Sequence, residues 1–257
     1  MKYKVCWVTL CKNEIDIIPF CADYWKRIAD KVIVYDNGST DGSIEELEKY
    51  QFVEVRHFDS DGQNEAIQKT IKEQAYLEFK DSYDIIVITD LDEVFYITGL
   101  EAVWEDFISG GYNCMVTPIY SLCNDFKPTP EEGKLLHQQC TKFYKQKMNH
   151  QEGFEDVSKI SIFNTRVTDK ISMSVGQHYV YTSPSMKIML AHNGFCLHID
   201  KGLGIDFYVN RRKKMGANLS EYNKSHGMCY EYLKSEEESR KEYRENQKKS
   251  FNLNDFF

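Results

Sequence analysis

The sequence predicts an α/β protein: a parallel sheet covered by helices in its first half, a mixed or antiparallel continuation in its second, and a helical tail. Three observations carry this. Before Gly110, apolar β-branched runs alternate with segments whose apolar residues recur at helical spacing. That rhythm marks βαβ units joined by right-handed crossovers. Strand-like runs such as "DIIVIT" are apolar without interruption, as in a sheet buried on both faces. After Gly110 short strand-like runs follow one another, and near Ser220 the composition turns polar and helical.

In chain order, "YKVCWVTL" reads as a buried strand and "IDIIPFCADYWKRIA" as a helix with Pro19 in its first turns, where a missing N–H costs least. "KVIVY" is a strand, and "SIEELEKY" a short helix capped by Asp41 or Ser43. "FVEV" is a strand, Gln63 to Lys80 a helix, "DIIVIT" a strand and "GLEAVWEDFI" a helix. Beyond them "YNCMVTPIYSL", "QCTKFY", "VSKISIF", "ISMSVGQHYV" and "KIMLAHNGFCLHI" read as strands. There is no repeat and no low-complexity linker. The expectation is one domain over residues 1–219, in halves 1–110 and 111–219, with a helical tail at 220–257.

The bulk numbers narrow the function. Of 257 residues 42% are hydrophobic, enough for a large core, and the net charge is −8. No block of Lys and Arg stands clear of compensating acids before residue 211, which speaks against nucleic acid as a partner. The eight cysteines include no C-x-x-C pair, and they read as reduced thiols rather than a disulfide framework or zinc site. The N-terminal apolar run is too short for a signal segment, and no apolar stretch approaches the ~20 residues of a membrane span. The expectation is a soluble cytoplasmic protein, with peripheral attachment to the inner face of a membrane left open.

In open α/β sheets ligands lie outside the carboxyl ends of the strands. Three strand ends here carry unusual residues, "TLCKNE", "DNGSTDGS" and "TDLDEVF", and all three point to the same edge of a parallel sheet. "DNGSTDGS" reads either as a turn with a helix cap, since Asn-Gly and Asp-Gly form turns, or as a ligand loop. In the second reading Asp36 accepts hydrogen bonds from a ribose or base, and Asn37 and Ser39 shape the pocket floor. "TDLDEVF" sets Asp90, Asp92 and Glu93 directly after an apolar strand. Like charges so close repel, and burial raises their pKa values. A divalent cation removes the conflict, because Mg²⁺ or Mn²⁺ binds through one or two carboxylates plus substrate phosphates. Phe95 and Tyr96 resume the apolar character at once and box the acids in.

Taken together, "VTLCKNE", "VIVYDNGSTDGS" and "VITDLDEVF" resemble the nucleotide-binding half of the family-2 glycosyltransferases. The likeness is strongest to a bacterial subgroup with K-N-E, D-N-G-S-T-D-G and D-x-D-E motifs, and it covers residues 3 to 97. It implies the A-type glycosyltransferase fold, a Rossmann-like mixed sheet flanked by helices. It also implies transfer of a sugar from a nucleotide-diphosphate donor, a UDP sugar by preference, with Mn²⁺ or Mg²⁺ as cofactor. The acceptor would be a glycan or a lipid-linked molecule, as in polysaccharide biosynthesis.

Carried over by position, Thr9, Asn13 and Glu14 belong to the nucleotide site, with Thr9 and Glu14 framing the base. Asp36 would hold the uracil or ribose side, beside Asn37 and Ser39. Gln63 stands where the subgroup has a glutamine before its third helix. Asp92 would coordinate the metal, Asp90 the ribose or the metal, and Glu93 would extend the cluster. Val94 separates Glu93 from Phe95, where the subgroup has Phe directly. In the second half "EDVSKISIFNT" and "SVGQH" resemble the subgroup's lysine segment and its Gly-x-His. Lys159 would then pair with the diphosphate and His178 would supply a metal or acceptor contact. His198 in "CLHIDKG" resembles a further metal ligand. "GFEDVSK" offers Glu155 and Asp156, with Asp156 the general base of an inverting displacement and Glu93 its rival. The run "RRKKM" from Arg211 reads as a solvated helix face, with a diphosphate clamp or an anionic membrane contact as alternatives.

Two other functions compete. A nucleotidyltransferase needs a Gly-rich basic loop after the first strand, and "TLCKNEIDI" has none. A non-catalytic nucleotide-sugar or carbohydrate-binding protein has no need of an intact Asp90/Asp92 pair.

Overall fold

Strand β1 (Val5–Cys11) runs through the centre of the sheet with every residue but Leu10 buried. The structure is a computed structural model that describes residues 2–145, 158–177 and 179–252. From β1 the chain passes through α1 (Ile18–Ile28), β2 (Lys31–Asp36), α2 (Ser43–Leu47), β3 (Val53–His57), α3 (Glu65–Phe79) and β4 (Ile85–Ile88). There follow β5 (Glu93–Ile97), α4 (Leu100–Ser109), β6 (Cys114–Leu122), α5 (Leu136–Gln139), β7 (Lys142–Lys145) and β8 (Ser158–Asn164). The remainder comprises β9 (Lys170–Met173), β10 (Val180–Ser183), β11 (Ile188–Leu190), β12 (Gly194–His198), α6 (Ile205–Ala217), α7 (Glu221–Ser225), α8 (Glu236–Lys248) and β13 (Phe251–Asn252).

The sheet order is β13-β7-β6-β8-β4-β1-β2-β3, with β5, β11 and β12 branching from this path. Strands β4, β1, β2 and β3 are mutually parallel, as the βαβ rhythm predicts. Strands β8, β6 and β7 continue the sheet antiparallel. Strands β1 to β4 are therefore parallel and the later sheet is mixed, whereas β5, still in the first half, pairs antiparallel with β12. One apolar face packs on α1 and α4, where Trp7, Trp25 and Trp104 are buried together. The other packs on Ala75 and Tyr76 of α3. The continuous apolar strand Ile85–Ile88 is buried at every residue, which is why its sequence does not alternate.

Three elements differ from the sequence expectation. "EVFYI" forms β5, a strand that periodicity alone did not separate from the acidic turn before it. "KIMLAHNGFCLHI" is two strands, broken at Ala191–Asn193. "ISMSVGQHYV" is interrupted by a 3-10 turn at Val175–Gln177, with Gln177 at φ 56°, and its flanks pair as a separate hairpin, β9 with β10. The cap of α2 also differs: Gly42 holds the N-cap at φ 97°, and Asp41 Oδ1 accepts the Ser43 N–H from outside the helix. A side chain at residue 42 would be strained there and would press on Ile15.

The C-terminal segment returns to the sheet. Tyr243 of α8 is buried against Tyr208, and β13 pairs antiparallel with β7. No cysteine is disulfide-bonded. Among the described residues no helix is long and apolar enough to cross a membrane.

Candidate active site

Because β1, β2 and β4 are parallel and adjacent, the loops that follow them emerge at one edge of the sheet. The first two loops are stitched together by the residues singled out from the sequence. Asn13, at φ 56°, accepts the Thr40 N–H through Oδ1 at 2.8 Å, and its own N–H donates to Ser39 Oγ at 2.8 Å. The Glu14 N–H donates to Ser43 Oγ at 2.8 Å. Asn37 reaches the loop after β3, donating to Ser60 Oγ and to the Gly62 carbonyl. Gln63 donates to Glu65 through its side chain, and its backbone N–H bonds the Asn218 carbonyl, which ties this edge to the end of α6.

Asp36 serves the turn and leaves one oxygen over. Its Oδ2 accepts the Ser39 N–H at 2.9 Å, as a turn-forming aspartate does. Its Oδ1 is buried with no partner, and so is Thr9 Oγ1 on the neighbouring strand. Two orphaned polar atoms at a ligand-binding sheet edge are unusual, since buried polar groups are nearly always hydrogen-bonded.

The acidic turn after β4 is compensated by basic side chains of the chain itself. Asp90 bonds Lys72 through Oδ1 at 2.7 Å and Lys159 through Oδ2 at 3.0 Å. Glu93 pairs with Lys159 and accepts the Asp90 N–H. Asp92 Oδ2 lies 3.0 Å from His198 Nε2 and 2.9 Å from the Arg211 guanidinium. From the sequence, a divalent cation is expected to relieve this crowding. The described structure relieves it with Lys72, Lys159 and Arg211. Desolvation works against ionisation at Asp90 and Asp92, yet these cations outweigh it and hold both carboxyls well below the usual carboxylate range. Desolvation likewise opposes charge on Lys159, and Asp90 and Glu93 outweigh it to keep the ammonium protonated.

The pairing of β5 with β12 assembles this end of the site. Its antiparallel register sets His198 opposite Glu93, one residue beyond Asp92. Burial lowers the proton affinity of His198, but Asp200 and Asp92 outweigh it and push its pKa up to about 9. Asp200 Oδ2 is held by Lys201 at 2.8 Å. Its Oδ1 is buried without a hydrogen bond, 3.8 Å from His198 Nδ1.

Helix α6 closes the site. Arg211 grips Glu14 through Nε and Nη2, the shortest contact being 2.6 Å, while Nη1 reaches Asp92. Burial pushes the Glu14 carboxyl upward and Arg211 opposes that shift. The "RRKKM" run is therefore not a uniformly solvated face. Arg211 and Arg212 turn inward at 14% and 13% exposure, whereas Lys213 and Lys214 face solvent. Asp92, His198, Asp200, Lys201, Arg211 and Tyr232 contribute to the wall of a pocket of about 150 Å³.

Of the residues expected in the site, Glu93, Asp90, Asp92, Lys159 and His198 come together, and Glu14 joins them through Arg211. Glu155, Asp156 and His178 lie outside the described residues. Lys72 and Gln177 were not singled out in the sequence, and Arg211 was read there as part of a solvated helix face, with a diphosphate clamp as one alternative. Gln177 accepts from Lys72 at 3.0 Å and donates to the Ile88 and Ile160 carbonyls, linking α3 to the ends of β4 and β8. Lys72 had a signal: it lies on the face of α3 that carries Ala75 and Tyr76, where an unpaired lysine is not tolerated.

Among the described residues no group of three His, Cys, Asp or Glu side chains is arranged to hold a metal ion. Asp92 and His198 do fit as a pair. Their 3.0 Å separation is that of neighbouring ligands on an octahedral ion with bonds of about 2.1 Å. The carboxylate oxygen suits Mn²⁺ or Mg²⁺, and the imidazole adds a nitrogen donor. Asp200 Oδ1 lies on the Nδ1 side of the same ring, at 3.8 Å.

The mixed sheet, the strand-end acidic turn and the stitched loops are those of a glycosyltransferase with the A-type fold. The chain belongs to glycosyl transferase family 2, whose sequence model matches residues 6–172. Among solved structures it is similar to residues 1–349 of S. aureus TarS, with 12% identity and a TM-score of 0.45, covering 87% of this chain and 68% of that one. Longer TarS gives 11% and 0.47, with coverage of 90% and 43%. Glucosyl-3-phosphoglycerate synthase from Mycobacterium tuberculosis, in complex with Mn²⁺, UDP and glucosyl-3-phosphoglycerate, gives 18% and 0.31, with coverage of 46% and 44%. The aligned residues thus span less than half the length of those last two proteins. A comparison with curated proteins finds no match.

Proposed function

We propose that the protein transfers a sugar from a nucleotide-diphosphate donor, a UDP sugar by preference, to a glycan or lipid-linked acceptor, with inversion and with Mn²⁺ or Mg²⁺. The observation that carries this reading is the Asp92–His198 pair at 3.0 Å on the edge where the nucleotide loops converge. Asp92 and His198 would hold the ion, with the donor diphosphate completing its ligands. When bound, the ion offsets the negative charge that develops on the leaving diphosphate.

The chain's own residues divide the rest of the work. Asp36 Oδ1 and Thr9 Oγ1, both without partners, would receive the nucleoside. Asn13, Asn37, Ser39 and Gln63 keep its loops in place. Glu14 acts on the site through Arg211. Asp90 is clasped between Lys72 and Lys159, which supports a contact to the ribose or to a metal-bound water rather than direct ligation. Lys159, with Glu93 and Asp90 as partners, supplies positive charge beside the diphosphate. Glu93 is a poor candidate for general base, because Lys159 and the Asp90 amide already use its carboxylate. That favours Asp156 as the base and leaves His178 an acceptor or metal contact.

The test is a donor screen by thermal shift with UDP, GDP, CDP and TDP sugars, each with and without Mn²⁺. A ligand at 100 times its Kd stabilises by about 2.7 kcal/mol. The largest shift is expected for a UDP sugar with Mn²⁺. No shift with any nucleotide sugar, in either condition, contradicts the reading.

A further inference from the structure

Arg211, the first residue of the basic run, touches both ends of the site. Its Nε and Nη2 grip Glu14, which follows β1, and its Nη1 lies 2.9 Å from Asp92 Oδ2. The same Asp92 oxygen faces His198 Nε2. An ion ligated by Asp92 and His198 must therefore compete with the guanidinium for Oδ2. Both occupants are positive, so they exclude each other electrostatically as well as sterically.

We propose that Arg211 is a place-holder: it neutralises Asp92 until the metal arrives, and its Nη1 arm then turns to the donor diphosphate. The inference rests on the metal reading given above, in which Arg211 serves only as the partner of Glu14. Glu14 makes the exchange workable. Two of the three guanidinium nitrogens stay on Glu14, so the side chain pivots rather than leaves. Nη1, once freed from Asp92, can donate to a phosphate oxygen through a charge-assisted hydrogen bond while Nε and Nη2 keep their hold on Glu14. With an ion held by Asp92 and His198, Arg211 Nη1 would give up Asp92 and would find a new acceptor in the donor diphosphate. Metal and nucleotide should accordingly bind cooperatively, each raising the affinity of the other by the same factor.

The test measures Mn²⁺ binding from the free-ion resonance signal, without and with UDP. The proteins compared are the wild type, Arg211→Lys and the double variant Glu14→Gln/Arg211→Gln, which leaves no unpaired buried carboxylate at residue 14. Without UDP the double variant should bind Mn²⁺ about tenfold tighter than the wild type, on the scale of ordinary site–site coupling. The same variant should bind UDP more weakly. A merely structural role would weaken both. Arg211→Lys, whose single ammonium cannot serve both carboxylates fully, should fall between the two in Mn²⁺ affinity. It also carries the test alone if the double variant fails to fold, by binding Mn²⁺ tighter than the wild type. Unchanged or weaker Mn²⁺ binding in the folded variants overturns the place-holder role. A wild type that binds no Mn²⁺ even with UDP overturns the metal reading itself.

Discussion

His198 Nε2 lies 3.0 Å from Asp92 Oδ2, although 106 residues separate them in the chain. The contact exists because β12 pairs antiparallel with β5, the strand that begins one residue after Asp92. A histidine from the second half is thereby delivered to the acidic turn of the first.

Replacing Asp92 with Asn should lower transfer by at least about a hundredfold, the scale of losing a principal electrostatic stabiliser. Simple relief of crowded carboxylates would predict a gain in stability. The structure predicts a loss of about 1–3 kcal/mol instead, because Arg211 and His198 both lose the buried anion they face. Urea midpoints and initial rates on the same preparations check both signs.

Asp36→Asn keeps an acceptor for the Ser39 N–H and changes the charge at the orphaned oxygen. Donor binding should weaken by about 1.5–3 kcal/mol, the worth of a charged hydrogen bond, with acceptor affinity unchanged. Calorimetric titration of each ligand separates this from general damage, which would weaken both.

Asp156→Asn should abolish transfer to the acceptor while leaving UDP and Mn²⁺ affinity in place. The acidic limb of the kcat/KM pH profile should disappear with it, since that limb reports the base. Normal transfer by this variant would return the role to Glu93, or to a mechanism without a general base.

His137 predicts how stability responds to acid. Burial and the charge of Arg27 push its pKa down to about 4, and Nδ1 sits 2.9 Å from the Tyr24 hydroxyl beside Tyr96 and Phe195. A histidine held neutral by folding binds fewer protons than in the unfolded chain, so its contribution is present above the usual pKa of about 6.5. That contribution is lost as pH falls from there through about 4. Urea midpoints measured from pH 7 to 4 should fall more steeply for the wild type than for His137→Leu.

The three strand-end motifs were legible because each loop directly follows an apolar strand, so adjacency in sequence became adjacency at the sheet edge. The elements that complete the site come from far along the chain, and periodicity carries no information about pairing. Strand β5 was hidden because a carboxylate-led five-residue run looks like the end of a turn. Arg211 and Arg212 were hidden in a basic run whose next two lysines do face solvent. Lys72 was visible only as a charge on a helix face that also carries Tyr76. It is the kind of misfit that a buried ion pair explains.

Asp92 and His198 are proposed to form together a metal site that the nucleotide completes. The most direct test is Mn²⁺ titration in the presence of UDP, comparing the wild type with His198→Ala, with folding verified by the urea midpoint. The wild type is expected to bind Mn²⁺, and His198→Ala to lose at least about tenfold in affinity, the low end for removing part of a metal's coordination shell. Equal Mn²⁺ affinity in the two proteins, with transfer activity indifferent to EDTA, would contradict that proposal.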